Sequence, residues 1–76
     1  MNDDTIEMLV KDLFDTAWNP DNAVEIRLAA IQSLATYVPH RGAVVYLSHI
    51  MRFSSNPKLK LASAEALRQR KISDVI

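Results

Sequence analysis

Two pairs of amphipathic segments follow one another in this 76-residue chain, and the second pair repeats the first. Moving residues 5–18 forward by 37 positions superimposes the apolar stripe of the first segment on that of the third, and places the Asn-Pro pair at 19–20 on the pair at 56–57. Moving residues 26–34 forward by 33 positions superimposes the second segment on the fourth. Apolar residues in these segments recur at steps of three and four, which is the pattern of an amphipathic helix. The repeat therefore predicts an all-α fold of two antiparallel helical hairpins.

Local signals predict where the first two helices begin and end. The first helix is predicted over residues 5–18, because the proline that follows disfavours a helical residue before it. Asn22, followed three residues later by Glu25, predicts a capping box for a second helix that continues to about Tyr37.

The third and fourth helices are predicted in the same way. A break at residues 38–42 precedes a third helix that ends near Ser54. Either Ser55 or Asn56 is predicted to cap a fourth helix that continues through Arg70, with a short tail beyond it that is frayed or packed back. At matching positions of the repeat, Leu34 and Leu67 are both predicted to lie in the core.

The second and fourth segments carry a family resemblance. Residues 26–34 read Ile-Arg-Leu-Ala-Ala-Ile-Gln-Ser-Leu, and residues 59–67 repeat the pattern with Lys60 in place of Arg27. The pattern resembles the inner helix of HEAT repeats, especially the bacterial HEAT-like repeats first noted in phycobilisome lyases. The resemblance covers nearly the whole chain and implies that the hairpins stack as a short HEAT-like α-solenoid.

The resemblance also has consequences for boundaries and for one ion pair. It implies a single HEAT-like domain of residues 1–76, with repeats at about 5–37 and 41–70. In that family an acid in the turn between the helices usually partners the basic residue of the inner helix. Asp21 is therefore expected to pair with Arg27, whereas the turn before Lys60 contains no acid.

The residue types favour binding over catalysis. The absence of Cys excludes thiolate metal ligands, Cys nucleophiles and thiol redox chemistry. Gly42 is the only glycine, so the chain lacks a glycine-rich phosphate loop. We interpret His49 as a solvated or capping residue and His40 as a loop residue near a helix start. We therefore expect no enzyme activity, no catalytic residue, no metal site and no cofactor.

Targeting signals are not apparent in the sequence. The first residues lack the basic and apolar segments of a signal peptide, and no apolar run approaches the roughly 20 residues of a membrane span. A small domain without disulfides suits a reducing compartment. We expect a cytoplasmic protein without a membrane partner.

Charge divides the chain into two halves. Residues 1–37 hold two basic and seven acidic residues, a net charge of −5, and residues 38–76 hold seven basic and two acidic residues, a net charge of +5. The neutral chain is thus an electrostatic dipole. Repeat arrays usually need about three units for stability. We therefore expect self-association that brings opposite halves together.

Two surfaces are candidates for binding a partner. The second helix has an additional apolar face whose counterpart on the fourth helix has become half basic, through Arg68 and Lys71. Together with Lys60 this basic face either caps the solenoid for solubility or docks an acidic, partly apolar segment of another protein. The other candidate is the groove between the repeats around Arg27 and Phe53. Phe53 lies off its helix stripe, as an exposed aromatic contact or packed on the loop below, whereas the other aromatic residues are expected to pack in the core.

We expect a non-catalytic protein–protein interaction module, an adaptor or scaffold, that binds through the surface of its helices. The predicted partner-binding residues are Arg27, Phe53, Lys60, Arg68 and Lys71. One alternative is a nucleic-acid-binding helical repeat protein, as the resemblance to HEAT-like DNA glycosylases implies, although zero net charge and an acidic first half oppose it. Another is an accessory to bilin attachment, as the resemblance to phycobilisome lyases implies, although two repeats are few for holding a tetrapyrrole.

Overall fold

Four helices make up most of the chain in the computed structural model, which describes the backbone of residues 3–75 and the side chains of residues 4–68. In chain order they are α1 (Asp3–Trp18), α2 (Val24–Ala35), α3 (Arg41–Phe53) and α4 (Pro57–Val75). Residues 3–75 contain no strand. The prediction of an all-helical fold with four helices is confirmed.

The start of α4 follows from the sequence. The Oδ1 atom of Asn56 accepts hydrogen bonds from the backbone N–H groups of Lys58 at 2.9 Å and Leu59 at 3.4 Å. Pro57 is the first residue of the helix, where its missing N–H leaves no hydrogen bond unmade. Of the two predicted caps, Ser55 and Asn56, the side chain of Asn56 makes the capping bonds.

The start of α2 differs from the prediction. The helix begins at Val24 behind Ala23, and no side chain caps it. The Asn22 side chain instead donates from Nδ2 to the backbone oxygen of Thr16 at 3.0 Å. The predicted capping box is wrong, because this side chain bonds a carbonyl near the end of α1, which a helix leaves without an internal partner.

Two helix ends also differ from the prediction. The second helix ends at Ala35 instead of Tyr37, because the backbone N–H groups of residues 36–38 bond to carbonyls three residues back and tighten the chain into a turn. The fourth helix continues to Val75, so the tail predicted after Arg70 is helical in its backbone. No Gly or Pro follows residue 57 to end it.

Contacts between the helices define two hairpins packed side by side. Within the described residues α1 contacts α2, α3 contacts α4, α1 lies against α3, α2 lies against α4, and α1 does not reach α4. The core runs between these contacts. Its buried apolar residues are Val10, Ala17, Ala30, Ile31, Leu34, Val38, Ala43, Leu47, Ile50, Leu59 and Ala66. This packing is compatible with the predicted stack of hairpins.

Gly42 allows α3 to approach α1 closely. A Cβ atom at this position would lie 3.3 Å from Cγ1 of Val10, a side chain that is fully buried. A side chain there would have to displace part of the core, and interiors are packed too densely to absorb that without cost. The glycine therefore helps to bring the first turn of α3 against α1.

The two leucines predicted to be core residues are not equally buried. Leu34 is fully buried, whereas Leu67 is half-buried at the edge of the core. The buried face of α4 consists of Leu59, Ser63 and Ala66, and Leu67 lies about 80° around the helix from Leu59. The prediction is confirmed for Leu34 and corrected for Leu67, because within the described residues α2 packs against α1, α3 and α4, whereas α4 packs only against α2 and α3. No helix in the described part of the chain is long and apolar enough to cross a membrane.

Candidate interaction surface

Five rings from α1 and α3 pack together at one side of the molecule. Phe14 stacks on Trp18, one helical turn later on α1, with 5.8 Å between ring centroids. Phe14 also stacks on Tyr46 of α3 at 4.4 Å. His49 meets the Trp18 ring edge-on at 4.8 Å and the Phe53 ring at 4.9 Å. Aromatic pairs at these distances stabilise each other beyond the area that they bury.

The outer part of this cluster faces solvent. Phe14 and Tyr46 are half-buried and form its base. Trp18 is half-buried, His49 is exposed, and Phe53 is 66% exposed. We call Trp18, His49 and Phe53 together the aromatic surface. The interpretation of Phe53 as an exposed aromatic residue is confirmed. His49 is exposed, as its interpretation as a solvated residue expected, and its ring in addition lies against aromatic rings of both helices.

Arg27 holds the end of α1 beneath this surface. Its Nε donates to the backbone oxygen of Ala17 at 2.8 Å and its Nη2 to that of Trp18 at 3.3 Å. A cation at the carbonyl end of a helix also interacts favourably with the helix dipole. The expected pair with Asp21 is not formed within the described side chains, since the guanidinium is turned toward the carbonyls and Asp21 is exposed.

A shallow pocket brings together two residues that the sequence singled out separately. It has a volume of about 210 Å³ and is lined by Trp18, Pro20, Arg27, Phe53, Ser54 and Ser55. A second hollow of about 300 Å³ lies on the other side of Phe53 and includes His49 and Arg52. These volumes lie at or below the lower limit for small-molecule sites and fit single side chains of a bound segment better.

The other predicted binding residues lie on α4. Lys60 and Arg68 are exposed, and Ala64 and Leu67 between them are half-buried, so cationic groups border a partly accessible apolar strip. Lys71 lies within the helical backbone of α4, but its side chain is outside the described residues. The structure therefore does not bring all five predicted residues into one site. It joins Arg27 with Phe53 and leaves Lys60 and Arg68 on a second surface.

The charges around the aromatic surface are unevenly compensated. On α1, Lys11 and Asp15 form an exposed ion pair at 3.1 Å. The hydrogen bond from Lys11 to the Asp15 carboxylate raises the pKa of this lysine, and the attraction between the two charges adds to the effect. On α3, Arg52 is exposed and no carboxylate of the described side chains pairs with it. Arg52 is thus free to meet an acid of a binding partner.

The histidines have structural environments. His40 is the N-cap of α3, and its Nδ1 accepts a hydrogen bond from the backbone N–H of Gly42 at 3.1 Å. The interpretation of His40 as a residue near a helix start is thus confirmed, and its capping bond adds a role. Among the described residues, no three His, Asp or Glu side chains come together as a metal site would require.

Sequence reasoning missed the role of Trp18 and His49 in the surface. A signal was present, because Phe14 and Trp18 on the first segment, and His49 and Phe53 on the third, are each four residues apart near the end of their helices. Residues four apart lie on one side of a helix. Placing the first and third helices side by side, as the repeat requires, would have predicted a joint aromatic cluster.

Comparisons of this chain with protein-family models, with curated proteins and with solved structures find no match. The resemblance to HEAT-like repeats therefore remains a prediction from the sequence pattern. Function has to be argued from the residues that the fold brings together.

Proposed function

We propose that this chain is a non-catalytic protein-interaction module of the HEAT-like type, and that its aromatic surface docks a short apolar segment of another protein that also carries an acid. The apolar part of that segment contacts Trp18 and Phe53, and its acid meets Arg52. Tandem helical hairpins serve this purpose well, because stacked hairpins present continuous surfaces made from several helices.

The internal equivalence of the hairpins supports the HEAT-like stack. Two pairs of matching positions are buried in both hairpins. Val10 and Leu47, 37 positions apart, are fully buried. Ala30 and Ser63, 33 positions apart, have exposed fractions of 5% and 0%. The matching helices also pack on each other, since α1 contacts α3 and α2 contacts α4. Such equivalence is expected when each repeat packs on the one before it.

The observation that carries the proposal is the exposure of Phe53 on a fixed aromatic base. A phenylalanine that leaves 66% of its surface in water forgoes most of the stabilisation that its burial would give. Its neighbours His49 and Trp18 are held from below, since Phe14 packs on both rings and Arg27 fixes the end of α1. Rigid aromatic anchors of this kind dominate the affinity of many protein interfaces.

Charge adds direction to the encounter. The second hairpin holds the positive half of the chain, with Arg52 beside Phe53 and the exposed Lys60 and Arg68 on α4. A positive surface attracts an acidic segment before contact, while apolar burial supplies most of the affinity. We place the basic face of α4, including Lys71, in this steering role.

The groups that meet at the surface suit binding better than bond-making. They are aromatic rings and a guanidinium that already donates to two main-chain carbonyls. The imidazole of His49 is the one ring here that can act as a general base, and among the described residues no carboxylate hydrogen-bonds to it to orient it for that role. The proposed setting is the cytoplasm.

Capture of partners with matched variants tests the proposal. The immobilised chain, its Phe53→Ala variant and its Met8→Ala variant are incubated with native lysate, and the bound proteins are identified by mass spectrometry. Met8 is the control, because it is a large apolar side chain on the surface of α1 with a similar exposure of 68%. We expect proteins that bind the parent and Met8→Ala but are lost with Phe53→Ala.

A direct titration then identifies the bound segment. Trp18 is the only tryptophan of the chain, so its emission reports on ligands at the aromatic surface. Peptides covering the captured protein should change this emission, and replacing the acid of the active peptide by its amide should weaken binding by about tenfold, as loss of a charge-assisted contact implies. Capture that survives Phe53→Ala but is lost with the Arg68→Glu/Lys71→Glu variant would place the docking site on α4 instead. Capture of nucleic acid alone would contradict the proposal.

A further inference from the structure

The first hairpin carries an uncovered copy of the surface that the second hairpin uses for packing. On α4, Leu59 is fully buried against the rest of the molecule. Its counterpart 33 positions earlier, Ile26 of α2, is 51% exposed. The same relation holds one turn later, where Ala62 is half-buried and its counterpart Ala29 is exposed. The apolar residues are thus present in both hairpins, and only the second has a neighbour that covers them.

The layer of α1 and α3 shows the same difference. Tyr46 of α3 is half-buried and stacks on Phe14 of α1. Its counterpart 37 positions earlier is Leu9, which is 37% exposed. Leu9 and Ile26 therefore lie on an exposed surface of the first hairpin that carries apolar residues at the positions through which the second hairpin packs against the first. We call the surface marked by Leu9, Ile26 and Ala29 the leading face.

The side of the first hairpin that packs against the second hairpin also has a matching, uncovered surface on the second hairpin. Between α2 and α4 a crevice is lined by Ile31, Gln32, Ala35, Ala62, Glu65 and Ala66. The residues that correspond on α4 to Ile31 and Ala35 are Ala64, which is half-buried, and Arg68, which is exposed. On α3, Ser48 corresponds to Lys11 and is half-buried. We call the surface marked by Ser48, Ala64 and Arg68 the trailing face.

Charges change sign between equivalent positions of the two hairpins. Three of the seven acids of the first hairpin correspond to bases of the second, and each of these side chains is exposed: Asp4 with Arg41, Asp15 with Arg52, and Glu25 with Lys58. Equivalent positions form rows along a stack of repeats. If the first hairpin of another copy followed the second hairpin in the stack, each row would again place an acid next to a base.

We propose that the leading face of one copy of this chain stacks on the trailing face of a second copy, as the second hairpin stacks on the first within one chain. In this arrangement α1 of one copy lies against α3 of the other, and α2 lies against α4. The contact buries Ile26 and Leu9, and it continues the alternation of acidic and basic positions along the rows. Charge complementarity and the internal contact that it copies both select a second copy as the occupant.

The proposed contact has the symmetry of a head-to-tail interface. The two faces differ, so each added copy exposes a new leading face or trailing face. The average size of the assembly should therefore rise with concentration instead of stopping at a dimer. Because the complementary charges are exposed, the association should weaken as salt screens them over distances of about 8 to 10 Å.

Sedimentation velocity of the full chain tests this inference. We compare the parent with Ile26→Gln and with the control Met8→Gln, since Met8 is also a large apolar residue on a helix of the first hairpin, is 68% exposed and lies about 100° around α1 from Leu9. At low salt and concentrations of about 10 to 500 µM, which cover weak association constants, the parent and Met8→Gln should sediment faster as concentration rises. Ile26→Gln should shift this rise to at least about tenfold higher concentration, as the loss of an apolar contact implies. A parent chain that stays monomeric throughout, or equal association of all three proteins, would overturn the proposal.

Charge reversal provides a test that does not depend on apolar packing. The Asp15→Lys/Glu25→Lys variant places bases at both positions of two rows, and the Arg52→Glu/Lys58→Glu variant places acids at both positions of the same two rows. Each variant alone should remain monomeric under conditions in which the parent associates, and an equimolar mixture should associate again. Circular dichroism checks that each variant is helical. If each variant alone associates like the parent, or if mixing folded variants restores nothing, the proposed contact is wrong.

Discussion

The two hairpins share one sequence pattern, but the same position is buried in one and exposed in the other. Leu59 on α4 is fully buried, whereas Ile26 at the matching position of α2 is 51% exposed. Both are large aliphatic residues on helices, so hydrophobicity does not distinguish them. The difference follows from the packing of the hairpins, because α4 lies against α2 of the first hairpin, whereas Ile26 keeps half of its surface in water. Burial at matching positions is thus decided by the neighbouring helices as well as by residue type.

The basic residues at matching positions differ in the same way. Arg27 is half-buried and donates to two carbonyls at the end of α1. Lys60 is exposed, and its ammonium group makes no hydrogen bond or ion pair with the described residues. A guanidinium presents several donors in a fixed geometry, whereas an ammonium is a compact, strongly hydrated charge. The substitution therefore turns a structural residue of the first hairpin into a surface charge of the second.

The largest expected contrast is between truncations of the matched aliphatic residues. Leu59→Ala removes buried groups and leaves a cavity, so it should lower the free energy of unfolding by about 2 to 5 kcal/mol. Ile26→Ala should lower it by less than about 1 kcal/mol, because half of the side chain is already in water. Urea denaturation followed by circular dichroism, at protein concentrations low enough to keep the chain monomeric, measures both. Equal losses would show that the hairpins are not packed as described.

The next contrast is between the matched basic residues. Arg27→Ala should lower the free energy of unfolding by about 1.5 to 3 kcal/mol, since charge-assisted hydrogen bonds to α1 are lost. Lys60→Ala should change it by no more than about 0.5 kcal/mol. Thermal unfolding of both variants alongside the parent gives the comparison. A neutral Arg27→Ala variant would contradict the role of this side chain as the support of the aromatic surface.

A smaller effect on stability is expected at the matching buried positions Ala30 of α2 and Ser63 of α4. The Oγ atom of Ser63 is fully buried and has no hydrogen-bond partner, and the matching residue of α2 is Ala30. Ser63→Ala should raise the free energy of unfolding by about 1 kcal/mol by removing an unsatisfied polar group. The reverse change, Ala30→Ser, should lower it by about the same amount. Opposite signs in chemical denaturation would support the equivalence of the two sites, and a destabilised Ser63→Ala variant would count against it.

The smallest effect on stability concerns the turn between the two helices of each hairpin. Asn56 caps α4 through its side chain, so Asn56→Ala should cost about 1 kcal/mol. Asn22 caps no helix and makes one part-buried bond to Thr16, so Asn22→Ala should cost about half as much. Urea denaturation of both variants and the parent in the same buffer measures the two losses of unfolding free energy. A larger loss for Asn22→Ala would reverse the comparison.

Sequence signals that act over a few residues predicted the structure best. The proline turns, the Asn56 cap and the apolar stripes located all four helices, because each depends on neighbours within one helical turn. The capping role of Asn22 was predicted wrongly, since its amide found a carbonyl of α1 from outside the local segment. The burial of Leu67 was overestimated, because it depends on how many helices pack against α4, and within the described residues only α2 and α3 do.

The candidate site was predicted only in part for the same reason. The sequence singled out Arg27 and Phe53, but the partner of the arginine is a helix end and not the acid in the turn. His49 is exposed as expected, but the contact of its ring with Trp18 at 4.8 Å was missed, because Trp18 belongs to another helix. Contacts between helices decide both roles, and a pattern within one helix does not contain them.

The packing of α1 on α3, which forms the aromatic surface, is the central claim, and nuclear Overhauser effects between aromatic protons test it most directly. The account predicts cross-peaks between the rings of Phe14 and Tyr46, whose centroids are 4.4 Å apart, and between those of Trp18 and His49. It also predicts that the Trp18–His49 cross-peak persists in the Phe53→Ala variant, because Phe14 supports both rings from below. A folded helical chain whose spectrum lacks both cross-peaks would contradict the packing of the hairpins and the surface derived from it.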